Sequence, residues 1–167
     1  MPKVIEAAEN AEIIVIDDAS RDRSVEILNG FKPKIKLLKN EKNLGFSSTI
    51  NKGVKEAKGE VVILLNTDVI PEKGFLEPLL KHFEDKNIFA VGCMDKSIEN
   101  GEIILRGRGV GKWRRGFLVH SRGEINQTNT LWVNGGSGAF RKSIWEKLGG
   151  FNELYSPFYW EDIDLSY

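Results

Sequence analysis

Apolar positions in the first half of the chain fall into short blocks separated by stretches with helical spacing. Residues 12–17 (EIIVID) form a β-branched run of the kind buried on both faces of a parallel sheet. Ser20 is placed to cap a helix running to about Leu28, with Asp22 near its positive end. Residues 34–38 read as a second strand, closed by the turn-rich stretch 40–45 (NEKNLG). Ile50, Val54 and Ala57 then share one face of a helix that Gly59 stops. Residues 60–65 carry the strongest buried-strand signal. Pro71 and Gly74 mark a turn, a helix runs to about Glu84 with Pro78 in its first turn, and residues 88–92 form a further strand.

This alternation predicts one Rossmann-like α/β domain over residues 1–167, with a mostly parallel sheet covered by helices. Ligands of such sheets sit beyond the carboxyl ends of the strands. Here those ends read Asp17-Asp18, Asn66-Thr67-Asp68 and Cys93-Met94-Asp95. The second half differs. Residues 101–130 are rich in Gly and Arg with little helical period, which predicts a hairpin or long loop beside the sheet. Residues 132–141 (WVNGGSGAFR) read as a strand running into tight turns, and residues 142–148 as a short helix stopped by Gly149-Gly150.

Composition narrows the function classes. The 167 residues are 41% hydrophobic and 29% charged, a globular balance with enough chain for a core. The 24 Lys+Arg and 24 Asp+Glu cancel, so no overall field draws the chain to nucleic acid or to an acidic membrane, and nucleic acid is not expected as a partner. Cys93 is the sole cysteine, which excludes an internal disulfide and a cysteine-based zinc site. Apolar runs such as residues 61–65 are too short to span a bilayer, and residues 1–10 lack an apolar leader core. The expectation is a cytoplasmic protein that meets a membrane at most peripherally.

Acidic residues at two strand ends of one sheet repel unless a cation or a hydrogen-bond donor lies between them. A nucleotide or a divalent metal meets that need. No G-x-G-x-x-G follows the first strand, which argues against a dinucleotide fold. Residues 107–112 (GRGVGK) have the wrong glycine spacing for a phosphate loop, and Trp113 stands where Ser or Thr is required. A bound diphosphate would therefore draw its counter-charge from Mg²⁺ or Mn²⁺ held on carboxylates.

An ordered series of motifs then becomes specific. Residues 13–20 (IIVIDDAS), Asn43-Leu44-Gly45, Asn51-Lys52-Gly53, residues 64–68 (LLNTD), residues 149–153 (GGFNE) and residues 160–165 (WEDIDL) together resemble the family 2 glycosyltransferases, from about Ala11 to the last residue. The resemblance implies an inverting enzyme of the nucleotide-diphospho-sugar transferase type. It implies that Asp17, with Asp18 beside it, accepts a hydrogen bond from the base of a UDP- or dTDP-linked sugar. Asn66 and Asp68 occupy the place of the Asp-x-Asp motif, with Asp68 as the metal ligand. Asp162, next to Glu161, matches the base that deprotonates a saccharide or lipid-linked acceptor. Gly135, Gly136 and Ser137 match a tight turn beside the donor sugar, and Trp160 is placed to stack on a sugar face. Asn66 in place of Asp resembles the rhamnosyl- and other hexosyl-transferring members.

The family pattern also opens with another strand and continues past the Glu-Asp motif. The resemblance therefore implies a fragment short at both ends, with residues 1–10 as a helix and an open sheet edge through which copies could associate. Two other classes stay open: a nucleotide- or glycan-binding fragment without turnover, and a phospho-receiver domain, in which Asn66 would replace the phosphorylated Asp.

Overall fold

The strand-forming runs of the first half pair as the alternation demands. In the computed structural model, which describes residues 1–157 and 159–167, α1 (Pro2–Ala7) leads into β1 (Ile14–Asp17). β1 pairs in parallel with β2 (Lys36–Lys39), from Ile14 opposite Lys36 to Asp17 opposite Lys39. Between them α2 (Ser24–Asn29) starts four residues beyond Ser20. The reason is local. The Asp17 carboxylate accepts the Ser20 N–H at 3.3 Å and holds it in the turn leaving β1. The N-cap is Arg23, which makes no side-chain cap; one residue before it, Asp22 Oδ1 accepts the Ser24 N–H at 2.9 Å, and the Ser24 hydroxyl and N–H together hold the Asp22 carboxyl below its ordinary range.

α3 (Phe46–Glu56) begins at Gly45, where φ is +83°, and ends one turn before Gly59 because Ala57 is already extended. β3 (Val61–Leu65) follows, then α4 (Leu76–His82), whose Pro78 lies in the first turn and removes no helical hydrogen bond, and then β4 (Ala90–Gly92).

The second half departs from expectation in two places. Residues 95–122 make two hairpins, β5 (Asp95–Glu99) with β6 (Glu102–Arg106) and β7 (Gly109–Arg114) with β8 (Phe117–Arg122). Cys93 and Met94 therefore link β4 to β5 rather than ending a strand at a ligand edge. The tight turn at residues 134–136 also precedes its strand instead of following it. β9 (Ser137–Arg141) enters between β3 and β4 and runs antiparallel to both, giving the order β3-β9-β4. The sheet is mixed, with β3 and β4 parallel to one another through an antiparallel intermediary. β1 pairs only with β2, and β3 only with β9, so each keeps one unpaired edge among the described residues.

The core forms where α3, α5 (Lys142–Leu148) and β9 meet. Val54, Val62, Leu64, Val133, Phe140, Trp145, Phe151 and Leu165 make one buried cluster. Trp145 sets its ring 5.1 Å from Phe140 and 4.5 Å from Phe151, and Phe151 stacks on Phe46 at 5.9 Å. Gly149 and Gly150, at φ +89° and +75°, end α5 and turn the chain toward Phe151. A Cβ at Gly150 would collide with the Asn51 amide. That amide makes two hydrogen bonds to the backbone of Phe151, Nδ2 donating to its carbonyl and Oδ1 accepting from its N–H, both at 2.8 Å. A 3-10 turn (Glu153–Tyr155) then leads to α6 (Glu161–Ser166), which buries Ile163 and Leu165.

Removing the Asn51 amide leaves two backbone groups beside the fully buried Phe151 without partners. Asn51→Ala should lower unfolding stability by about 2–4 kcal/mol in urea titrations, and Asn51→Asp, which sets a carboxylate oxygen against the Phe151 carbonyl, by at least as much. Wild-type stability in both variants would contradict this role.

Candidate active site

β1 delivers two adjacent acids with opposite surroundings. Asp18 Oδ1 accepts from Asn40 Nδ2 at 2.8 Å and Leu44 N at 2.9 Å, and Oδ2 accepts from Gly45 N at 3.0 Å. Partial burial alone would raise its pKa. The donors of Leu44, Asn40, Gly45 and the Thr49 hydroxyl outweigh burial and lower it. Asn40 extends the network, its Oδ1 accepting from Lys52 Nζ at 2.6 Å. Asp18 thus fixes the loop that launches α3. Asp17 is buried, with Oδ2 on Ser20 N at 3.3 Å and Oδ1 left without a hydrogen bond among the described residues.

A cleft of about 230 Å³ opens beside the amino end of α3. Phe46 and Ser47 line one side, Asn66 and the turn Asn134-Gly135-Gly136 another, and Tyr155, Ser156, Pro157 and Tyr159 a third, with Glu161 and Asp162 completing it. The glycines make the turn possible. A Cβ at Gly135 would lie 2.8 Å from the Phe151 ring, and one at Gly136 only 2.5 Å from the Asn66 amide. Asn134 Oδ1 accepts from Gly136 N at 2.7 Å, and Asn66 N donates to the Gly136 carbonyl at 2.8 Å.

The acids of α6 are presented by a strained entry. Tyr159 and Trp160 adopt φ +40° and +88°, a region that favours glycine. The Trp160 ring meets His120 edge-on at 4.9 Å, and His120 meets Trp132 at 5.2 Å, so β8 steadies this entry. Asp162 Oδ1 accepts from Ile163 N at 2.8 Å, while Oδ2 has, among the described residues, only the long 3.4 Å bond from Gly135 N. Oδ2 therefore keeps acceptor capacity facing the cleft wall. Glu161 is buried, and its pKa is raised first by burial and further by the neighbouring Asp162 carboxylate.

Of the residues singled out in the sequence, Asn66, Gly135, Gly136, Glu161 and Asp162 come together in this cleft. Asp17, Asp18, Asp68, Ser137 and Trp160 stand outside its lining. Ser137 is buried, and its Oγ donates to Asp95 Oδ2 at 2.8 Å, tying β9 to the start of β5. Ser47, Asn134, Tyr155, Ser156 and Pro157, which also line the cleft, went unmarked in the sequence. Asn134 carried a usable signal, since an Asn before paired glycines is a turn-forming acceptor.

Asp68 is exposed, two residues beyond Asn66, and its carboxylate has no hydrogen bond or ion pair among the described residues. No group of three or more His, Cys, Asp or Glu among those residues is arranged for a metal. A carboxylate without a protein partner among the described residues suits a hydrated Mg²⁺ or Mn²⁺ that takes its remaining ligands from phosphates and water.

Comparison with known proteins adds an independent line. The model of the glycosyl transferase family 2 matches residues 3–149. The O-antigen chain rhamnosyltransferase WbaN of Salmonella anatum is 30% identical over 148 residues, which is 86% of this chain and 46% of that protein. The cholesterol galactosyltransferase of Borreliella burgdorferi is 37% identical over 86 residues, 50% of this chain and 24% of that protein. The chain thus matches less than half the length of these relatives. Among solved structures, GalNAc-T7 with UDP, GalNAc and Mn²⁺ superposes at TM-score 0.74 and 21% identity, over 94% of this chain and 34% of that one. Staphylococcus aureus TarS 1-349 with UDP superposes at 0.69 and 18% identity, over 99% and 48%. These structures share the fold.

The raised pKa of Glu161 has a signed consequence. Its contribution to stability is fully present below the ordinary glutamate range and is lost as pH rises through the higher folded-state value. Glu161→Gln should therefore melt above wild type at pH 7, with the gap closing toward pH 4. A gap that is the same at both pH values would show that ionisation of Glu161 is not its source.

Proposed function

The chain belongs to glycosyl transferase family 2, and from that premise we propose that its cleft binds a nucleotide diphosphate hexose and carries the base for inverting transfer. The observation that most supports this is the meeting of Asp162 with Asn66 and the Gly135-Gly136 turn in one cleft, although they lie in three separate parts of the chain. The UDP and Mn²⁺ held by the structurally similar GalNAc-T7 support the donor class and the metal.

In this reading the donor sugar lies over Gly135 and Gly136, where missing side chains permit close approach. The unoccupied Oδ1 of Asp17 accepts from the N3–H of uracil or thymine, and Asp18 supports the adjacent loop rather than the base. Asn66 orients the donor at the cleft wall. A Mg²⁺ or Mn²⁺ on Asp68 would supply the charge that stabilises the leaving nucleoside diphosphate. Asp162 Oδ2 takes the proton of a saccharide or lipid-linked acceptor hydroxyl. The acceptor oxygen bonds to the anomeric carbon as the bond from that carbon to the diphosphate breaks, and the electron pair leaves with the diphosphate. Attack from the face opposite the leaving group, with no covalent enzyme intermediate, inverts the anomeric centre.

Two substitutions separate the roles. Asp162→Asn should reduce hexosyl transfer by about 10²–10⁴-fold while leaving calorimetric UDP affinity within about twofold. Equal loss of binding and transfer would remove Asp162 from the base role. Asp68→Ala should abolish the gain in UDP affinity that Mn²⁺ gives wild type, and an unchanged response to EDTA would retire Asp68 as the ligand. UDP binding with no transfer by the wild-type chain to any saccharide or lipid-linked acceptor would favour a binding module.

A further inference from the structure

The β7–β8 hairpin has two unlike faces. The register places Trp113, Leu118 and His120 on one side. That side meets the body of the protein at both ends of α6. Trp113 Nε1 donates to the Tyr167 hydroxyl at 2.5 Å with the rings 5.9 Å apart, and His120 packs on Trp160. The opposite side pairs Lys112 with Val119 and Arg114 with Phe117. Phe117 is 74% exposed and Val119 46%. Arg115 and Gly116, at φ +51° and +83°, form the two-residue turn that puts Arg115 at the tip.

Charge is distributed to match. Residues 103–123 contain six Lys or Arg and no Asp or Glu, in a chain whose net charge is zero. Arg106 is paired with Glu99, and Arg108 with the Asn129 carbonyl. Lys112, Arg114, Arg115 and Arg122 are exposed and form no ion pair among the described residues. No helix among the described residues is long and apolar enough to cross a membrane.

We propose that the outer face and tip of the β7–β8 hairpin dock on an anionic lipid bilayer. Lys112, Arg114 and Arg115 would meet the headgroups while Phe117 and Val119 enter the interface. Cations interleaved with an exposed aromatic and an aliphatic residue suit that boundary, where stems and rings lie in the apolar layer and charges stay in the headgroups. Single-stranded nucleic acid would answer the charge but give no role to Val119, which offers no stacking face. The docking does not depend on the transferase reading. Its consequence does: the inner face of the hairpin holds the entry to α6, so docking would bring the Asp162 cleft to the membrane surface, where a lipid-linked acceptor resides.

The test is co-sedimentation with vesicles of phosphatidylcholine alone and with about a third phosphatidylglycerol, without substrate or metal. Wild type should partition roughly a hundredfold more strongly onto the anionic vesicles at low salt, and this preference should collapse at high salt. Arg114→Gln combined with Arg115→Gln should weaken binding at least about tenfold. Phe117→Ser should weaken it severalfold at unchanged charge, and melting temperatures of both variants should match wild type. Equal binding to both vesicle types, or wild-type binding by both variants, overturns the proposal. Tighter binding to a single-stranded oligonucleotide than to the anionic vesicles, unaffected by Phe117→Ser, overturns it in favour of nucleic acid. Loss of UDP binding with vesicle binding intact would count against the transferase reading alone.

Discussion

Two hydrogen bonds between the side-chain amide of Asn51 and the backbone of Phe151 join positions one hundred residues apart. The rest of the candidate site is arranged around that contact. It fixes the turn leaving α5 against α3, and so drives the Phe151 ring between Phe46 and Trp145. The ring then leaves room only for glycine at position 135. A side-chain amide suits this place because it presents a donor and an acceptor side by side, matching the N–H and C=O of one residue. Phe46, the turn at residues 134–136 and the segment leading to Asp162 are thereby brought to one cleft by a part-buried pair of hydrogen bonds beside an apolar cluster.

The acids around this frame differ by environment rather than by type. Asp18 is surrounded by donors that hold it ionised, and it acts as a strut for the loop before α3. Its neighbour Asp17 keeps an oxygen without a hydrogen bond among the described residues. At the other end, Glu161 is buried and pushed toward its protonated form, while Asp162 retains a carboxylate oxygen with one long hydrogen bond. Two adjacent pairs, each divided into a structural and an available member, follow the general pattern by which neighbouring carboxyls take different roles.

Much of this was legible in the sequence because the first half obeys local rules. β-Branched runs became β1 and β3, and the Ile50, Val54, Ala57 face became the inner side of α3. Asn51-Lys52-Gly53 and Gly149-Gly150-Phe151 stood out as separate motifs, and the structure makes Asn51 and Gly150-Phe151 one contact. β9 was misread because its order relative to the turn and its antiparallel course are set by pairing with β3 and β4, which no local period encodes. Residues 101–130 were read as one hairpin or loop and β5 as no strand, because Gly and Arg blur period-two alternation there and β5 carries little apolar signal. The wall at Tyr155, Ser156 and Pro157 had no local pattern, since it is placed by its approach to the start of α3, where a Cβ at Gly45 would lie 2.9 Å from Ser156 Oγ.

The central claim is that one nucleotide-diphosphate site spans the β9 turn and the start of α6. Amide hydrogen exchange with and without UDP and Mn²⁺ tests it most directly. The account predicts slowed exchange at residues 134–136 and 159–163, with the β5–β6 hairpin unchanged. Protection confined to other segments, with residues 134–136 exchanging as in the free chain, would contradict it.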